Sequence, residues 1–245
     1  MTLSQEKLDE LLKSRPFQYF SQVESTQDVA RVWLQNGADS GAVVIADEQI
    51  SGRGRKGRMW HTPPGEALAI SVILSPSTGV VHQIMMLGAL SIVSLLHDLN
   101  APNVGIKWPN DVRLNGRKVC GVLPETIWQG GELEGVVLGL GLNVRVNFAG
   151  TELESSAISL ESALGRSLDR GDLLVTLLEH LDYWTGHLGS PQLFEAWKDC
   201  LDTLGQHVDI GAIHGVAESV NPDGSLNIRD QGGQLQHVVA GDVTQ

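Results

Sequence analysis

The stretch Asp47 to Trp60, DEQISGRGRKGRMW, restricts the possible folds of this chain more than any other. Arg53, Arg55, Lys56 and Arg58 fall within six positions, interleaved with Gly52, Gly54 and Gly57, and an aromatic residue closes the run. The apolar segment Gly41 to Ala46 leads into it, and the apolar run Ala67 to Leu74 follows. Strand, cationic loop, strand puts four charges on a loop that a sheet holds in place, where function tends to sit. The chain as a whole carries −12, and its background without these four cations is −16. Glycines leave the backbone free to wrap a ligand, and guanidinium groups supply forked donors that match carboxylate or phosphate. The loop reads as an anion clamp that is mobile when empty, because four like charges repel.

Other readings of the same residues compete. A solvated charge run with no ligand is the plain alternative. Gly52, Gly54 and Gly57 satisfy GxGxxG, but Met59 to Gly65 follows where a dinucleotide fingerprint needs a helix. A phosphate-binding P-loop needs Lys and then Ser or Thr after the last glycine, and Arg58 and Met59 stand there.

At 245 residues the chain can bury a substantial core as one large domain or a domain with a small appendage. Its acidity argues against general nucleic-acid binding, which needs an extended basic face. The N-terminal stretch MTLSQEKLDELLKSRPF lacks the uninterrupted apolar core of a signal peptide, and it is too short for a helix-turn-helix domain. The longest apolar run, Ile84 to Leu96, is 13 residues and too short to span a bilayer. A cytoplasmic protein is expected, with Cys120 and Cys200 as buried thiols and no structural zinc among eight scattered histidines.

Leucines 3, 8, 11 and 12 predict a short helix ended by Pro16. Tyr19 to Val23 predicts a strand, and Glu24-Ser25-Thr26-Gln27 predicts the cap of a helix through Leu34. A buried helix is expected over Val81 to Leu99, then a strand from Val104 into the Pro109-Asn110-Asp111 turn. Asn115-Gly116 predicts a hairpin that pairs Asp111–Leu114 with residues 117 to 123 and brings Lys118 near the preceding turn. In isolation Lys107 and Asp111 read as a surface ion pair, and Lys118 as an edge charge. In Val136 to Val144, alternation puts Gly139, Gly141 and Asn143 on one face, so a ligand or another backbone is expected to approach closely there. Helices are predicted over Ser156 to Leu164, Asp169 to Leu188 and from Pro191 to Leu201. Beyond Gly205, four short strands predict a small β meander. The domain boundary is expected near Thr203, giving residues 1–202 and 203–245.

GRGRKGRMW, KWPNDV, RKVCGVLPE and GLGLNV, in this order and at these spacings, closely resemble the biotin protein ligases. The resemblance implies an α/β (α+β) catalytic domain similar to class II aminoacyl-tRNA synthetases, followed by an SH3-like barrel, in a form lacking the N-terminal DNA-binding domain. It implies ATP-dependent formation of biotinyl-5′-AMP and transfer of biotin to a lysine of a biotin carboxyl carrier protein. It also implies Mg²⁺ on the ATP phosphates, no nucleic-acid or membrane partner, and a monomer or homodimer. By resemblance, Gln27, Arg53, Gly54, Arg55, Lys118 and Gly121 contact biotin, while Ser25, Thr26 and Gln49 surround its ureido ring. Arg58, Trp60, Lys107, Asn110 and Asn143 form the nucleotide site. Lys118, Arg55, Arg58 and Asp111 carry the chemistry, with Asp111 orienting the acceptor lysine or taking its proton.

Gln27, Cys120 and Pro124 depart from the family pattern, and Pro124 suggests that its strand ends or lies at an edge there. A lipoate protein ligase, or a biotin-sensing protein without transfer activity, remains open as an alternative.

Overall fold

The computed structural model describes residues 3–239 and 241–243. Seven strands form the main sheet: β1 (Phe17–Phe20), β2 (Val43–Ala46), β3 (Ala67–Leu74), β4 (Val104–Lys107), β5 (Asp111–Leu114), β6 (Arg117–Gln129) and β7 (Glu132–Asn143). Their spatial order is β1-β2-β3-β7-β6-β5-β4, with β1 and β2 parallel and every other neighbouring pair antiparallel. Helix α1 (Gln5–Leu12), α2 (Thr26–Gln35), α3 (Ile84–Asp98), α4 (Leu160–Leu164), α5 (Arg170–Thr185) and α6 (Pro191–Asp199) complete this part. The result is the mixed α/β sheet with helices that the motifs predicted.

Alternation divides the sheet into two apolar faces. Val43, Ile45, Leu68, Ile70, Val72, Leu138 and Leu140 point into the large core with α3 and α5. Val44, Ile73 and Val137 point the other way, against Ala30 and Leu34 of α2. Residues Thr78 to Gln83 form a 3₁₀ turn that runs directly into α3. The helical stretch Thr78–Asp98 is therefore 21 residues and contains an 18-residue window of mean hydropathy 1.8, longer than the apolar run counted from sequence, and by length and composition it could cross a membrane. Of that window 67% is buried inside the molecule, which accounts for its apolarity.

Strands β8 (His207–Ile210), β9 (Ile213–Val220), β10 (Leu226–Asp230) and β11 (Leu235–Val238) form a separate antiparallel sheet in the order β11-β10-β9-β8. Its inward residues, including Val208, Ala217, Leu226 and Ile228, join the same apolar cluster as the main sheet. Trp108 makes the joint. Its indole is 1% exposed and donates to the Gly224 carbonyl at 2.8 Å, and its backbone N–H donates to Thr203 Oγ1 at 2.9 Å. A sheet this small cannot bury enough surface alone, so it borrows the core beside it.

Two sequence expectations need correction, and of the two alternatives given for Pro124 only the edge holds. The segment predicted as helix from Ser156 is helical only over Leu160–Leu164, because Ser156 and Ile158 hydrogen-bond to the backbone of Lys118 instead. β6 does not end at Pro124 but runs on to Gln129 against β7. Pairing with β5 stops at Gly121, so Pro124 lies where the outer edge of β6 is free and a missing N–H is tolerated. The first strand is Phe17–Phe20 rather than Tyr19 to Val23, since its parallel partner β2 ends at Ala46.

Candidate active site

A cavity of about 380 Å³ opens on the α2 side of the sheet. The cationic loop, the turn between β4 and β5, the start of β6, the end of β7 and the segment 148–157 surround it. Among the predicted site residues, Thr26, Gln27, Gln49, Arg53, Gly54, Arg55, Arg58, Trp60, Lys107, Asn110, Asp111, Lys118, Gly121 and Asn143 all line it. Ser25 does not.

The loop is held as a narrow hairpin. Trp60 N–H donates to Gly52 O at 2.8 Å and Gly54 N–H to Arg58 O at 2.7 Å, while Lys56 and Gly57 take left-handed backbone (φ +56° and +72°) at its tip. The repulsion expected among its cations is offset by carboxylates. Arg53 makes a two-pronged pair with Asp28 at 2.7 and 2.8 Å, with Glu125 at 3.6 Å. Arg58 and Lys56 reach Asp242 at 2.7 and 3.1 Å. Arg55 donates to Asn110 Oδ1 at 3.0 Å and to the Gly241 carbonyl at 2.9 Å. Asn110 in turn donates to the Val122 carbonyl at 2.6 Å, which ties the loop to the sheet.

On the sheet, Gly121 faces Gly141 and Leu123 faces Gly139 across β6 and β7. The bare surface is not empty: the Trp60 indole lies over it. A Cβ at Gly121 would come within 3.1 Å of the indole, and one at Gly141 would overlap its nitrogen. A Cβ at Gly139 would stand 2.8 Å from the Gln27 side chain. The close approach predicted for this face is thus made by two side chains, and Trp60 Nε1 is buried without a partner. Asn143, one turn of the alternation further, donates weakly to Ile158 O at 3.3 Å and Lys118 O at 3.5 Å.

Lys118 reaches the cavity through an irregularity. Val112 pairs with Cys120 but Arg113 pairs with Lys118, so Val119 is an extra residue in β6. Strict alternation from Gly121 would point Lys118 into the core. The bulge buries Val119 instead and turns Lys118 toward the glycine face. There its Nζ lies 2.6 Å from Asp111 Oδ1 and 5.3 Å from the centre of the Trp60 ring.

Lys107 differs from its cationic neighbours, since among the described residues no carboxylate lies within salt-bridge distance of it. Burial, followed by the nearby Arg113 guanidinium, holds its pKa below that of an ordinary lysine.

At the other end, Thr26 donates both its N–H (2.9 Å) and its hydroxyl (3.0 Å) to Gln49 Oε1, and Ser71 Oγ donates to Thr26 Oγ1 at 2.8 Å. Gln49 Nε2 faces Thr62 Oγ1 at 3.3 Å. Gln27 Nε2 donates to the Leu123 carbonyl. Ser25 occupies the N-cap position of α2 but makes no capping bond, and its hydroxyl is buried without a partner. Sequence reasoning missed Asp242 and Arg170. Arg170, fully buried, sits 2.6 Å from Asp47 and donates to Ala67 O at 3.1 Å, so one side chain grips both ends of the loop-bearing segment. Its contribution is invisible in sequence because more than a hundred residues separate it from either partner.

Such a site can hold a ring with polar edges at its polar inner end and bring two anions together beside a lysine. Residues 19–143 match the biotin/lipoate A/B protein ligase family. The chain is 29% identical over 238 residues to the bifunctional ligase/repressor BirA of Bacillus subtilis, covering 92% of this chain and 72% of that protein. It is 31% identical over 245 residues to the biotin--[acetyl-CoA-carboxylase] ligase of Mycobacterium tuberculosis, covering 94% and 88%. A solved structure of biotin protein ligase from Aquifex aeolicus in complex with biotin and ATP superposes with a TM-score of 0.81 at 25% identity, covering 94% of this chain and 97% of that one.

Proposed function

Since the chain belongs to the biotin/lipoate A/B protein ligase family, we propose that it uses ATP to activate biotin as biotinyl-5′-AMP and transfers the biotinyl group to a carrier lysine. The observation that carries this reading is the convergence of the glycine-spaced arginines and Lys118 on one cavity. Its acceptor is a biotin carboxyl carrier protein or domain, in keeping with the carboxylase named in the relatives it resembles.

In the first step the biotin carboxylate attacks the α-phosphorus of ATP, a C–O–P linkage forms, and pyrophosphate leaves. Both reactants are anionic, so fixed cations must bring them together and stabilise charge on the transferring phosphoryl oxygens. Lys118 holds the carboxylate, Arg55 spans carboxylate and α-phosphate, and Arg58 with Lys107 receives the outer phosphates. Gln49 and Thr26, fixed against each other, address the ureido ring together with Ser25 and Gln27, and Trp60 on its glycine floor walls off the ring system. Arg53, Gly54 and Gly121 shape the biotin side, and Asn110 and Asn143 the nucleotide side.

No group of three or more His, Cys, Asp or Glu that could hold a metal occurs among the described residues. A Mg²⁺ ion would be carried in on the nucleotide phosphates, the usual mode for this cation with ATP. When bound, such an ion neutralises phosphate charge and orients the leaving pyrophosphate. In the second step the neutral amine of the carrier lysine attacks the acyl carbon and AMP leaves with the bonding pair. Asp111, beside Lys118, orients that amine or takes its proton.

We further propose that the protein works in the cytoplasm as a monomer or homodimer, with its domain division near Thr203. Pyrophosphate release tests the activation step. It is expected only when ATP and biotin are both present; release with ATP and lipoate, and none with biotin, overturns the reading in favour of a lipoate ligase.

A further inference from the structure

The arginine loop already holds an anion. Asp242 lies 2.7 Å from Arg58 and 3.1 Å from Lys56, with Arg55 at 3.9 Å, and it lines the same cavity. Its presentation is built rather than incidental. Val243 on one side is 4% exposed within the main core, and Gly241 on the other is pressed so closely on Ile210 that any Cβ would overlap it. The Gly241 carbonyl also accepts from Arg55. Burial works against the charge of Asp242, but Lys56 and Arg58 outweigh it and hold its pKa below the usual carboxylate range.

We propose that Asp242 is an intramolecular competitor for the nucleotide phosphates: its carboxylate occupies the cationic loop when the site is empty and is displaced when a polyphosphate binds. The proposal rests on the reading of Arg58 as a phosphate ligand. Arg58 and Lys56 cannot give the same N–H groups to Asp242 and to a phosphate, and bringing both anions onto one face would restore the repulsion that the pair removes. A protein whose binding-competent form is only partly populated shows an affinity reduced by that fraction. The arrangement keeps the empty loop folded and makes loop release part of nucleotide entry. Lys107, with no carboxylate in salt-bridge distance among the described residues, lines the same cavity and is open to the incoming anion.

Asp242→Asn removes the competing charge and keeps the shape. For partly exposed ion pairs, this should tighten binding of ATP, and of inorganic tripolyphosphate used as a biotin-independent probe, by about two- to fivefold in calorimetry. Trypsin should cut the empty variant faster after Lys56 and Arg58 than the wild type, and ATP should restore protection. Asp242→Glu should stay close to wild type in both measurements. Unchanged or weaker tripolyphosphate binding by Asp242→Asn overturns the proposal and makes Asp242 a strap that supports the site. Because tripolyphosphate binding involves no biotin, that failure is separate from a failure of biotin-dependent pyrophosphate release, which would strike the ligase reading itself.

Discussion

Lys118 and Asp111 meet at 2.6 Å because β6 carries one residue too many. Asp111 lies on the glycine face by register with Gly121, and the extra Val119 brings Lys118 onto that face too. Each side chain keeps about a third of its surface exposed (32% and 31%), so both are open to ligand from the cavity.

On the proposed roles, this pairing separates the two half-reactions. Asp111→Asn leaves Lys118 able to bind a carboxylate but removes the group proposed to orient the acceptor amine. Biotinyl transfer in single-turnover assays should slow about a hundredfold, with adenylate formation changed by less than about threefold. Equal slowing of both steps would contradict the role.

Gly141 is the tightest point under Trp60. Because an indole has no flexible end to yield, Gly141→Ala should lift the ring from its floor and destabilise the fold by about 1–3 kcal/mol. Denaturant titration measures the stability. Comparing tryptophan fluorescence with that of the same change in a Trp60→Phe background isolates the displaced ring.

The Arg170–Asp47 pair is buried, with Arg170 entirely inaccessible. Arg170→Met alone strands a buried carboxylate and should cost about 3–5 kcal/mol, whereas Arg170→Met combined with Asp47→Leu should recover much of the loss. Urea midpoints at a constant slope give both values.

Asp169 caps α5 and binds Lys7 of α1 at 2.7 Å. Burial pushes its pKa up, but Lys7 and the backbone N–H groups of Gly171 and Asp172 outweigh that and bring it down to about 2. A folded-state pKa below the unfolded value stabilises the protein fully above the unfolded pKa. The contribution, about 2 kcal/mol, is lost as pH falls from about 4 to about 2. Asp169→Ala should therefore be less stable than wild type by a constant amount above about pH 5, with the gap closing below about pH 3. A gap that persists at pH 2 would contradict this.

Much of the frame was legible because local patterns and tertiary structure agree here. Ala67–Leu74 appears at its predicted ends, Asn115-Gly116 makes the expected hairpin, and the glycine alternation in β7 marks the cavity floor. The apolar positions of the last four strands were visible too, although nothing local showed that they share a core with Trp108. What the sequence hid was non-local or one residue wide. The bulge at Val119 left only a faint sign, the two successive apolar residues Val119 and Cys120 after Lys118. The helix predicted from Ser156 lost its first turn to backbone pairing with Lys118, a contact that no propensity encodes. The carboxylates on the cationic loop come from Asp28, Glu125 and Asp242, so reading the loop alone exaggerated its self-repulsion.

The central claim is that the arginine loop and Lys118 form one pocket in which biotin and ATP react on the way to a carrier lysine. Intact mass of a biotin carboxyl carrier domain, after incubation with this protein, ATP, Mg²⁺ and biotin, tests it most directly. The carrier should gain one biotinyl group at a single lysine, dependent on ATP and abolished by Lys118→Ala. A carrier mass that stays unchanged with folded wild-type protein, or one that rises equally with Lys118→Ala, would contradict it.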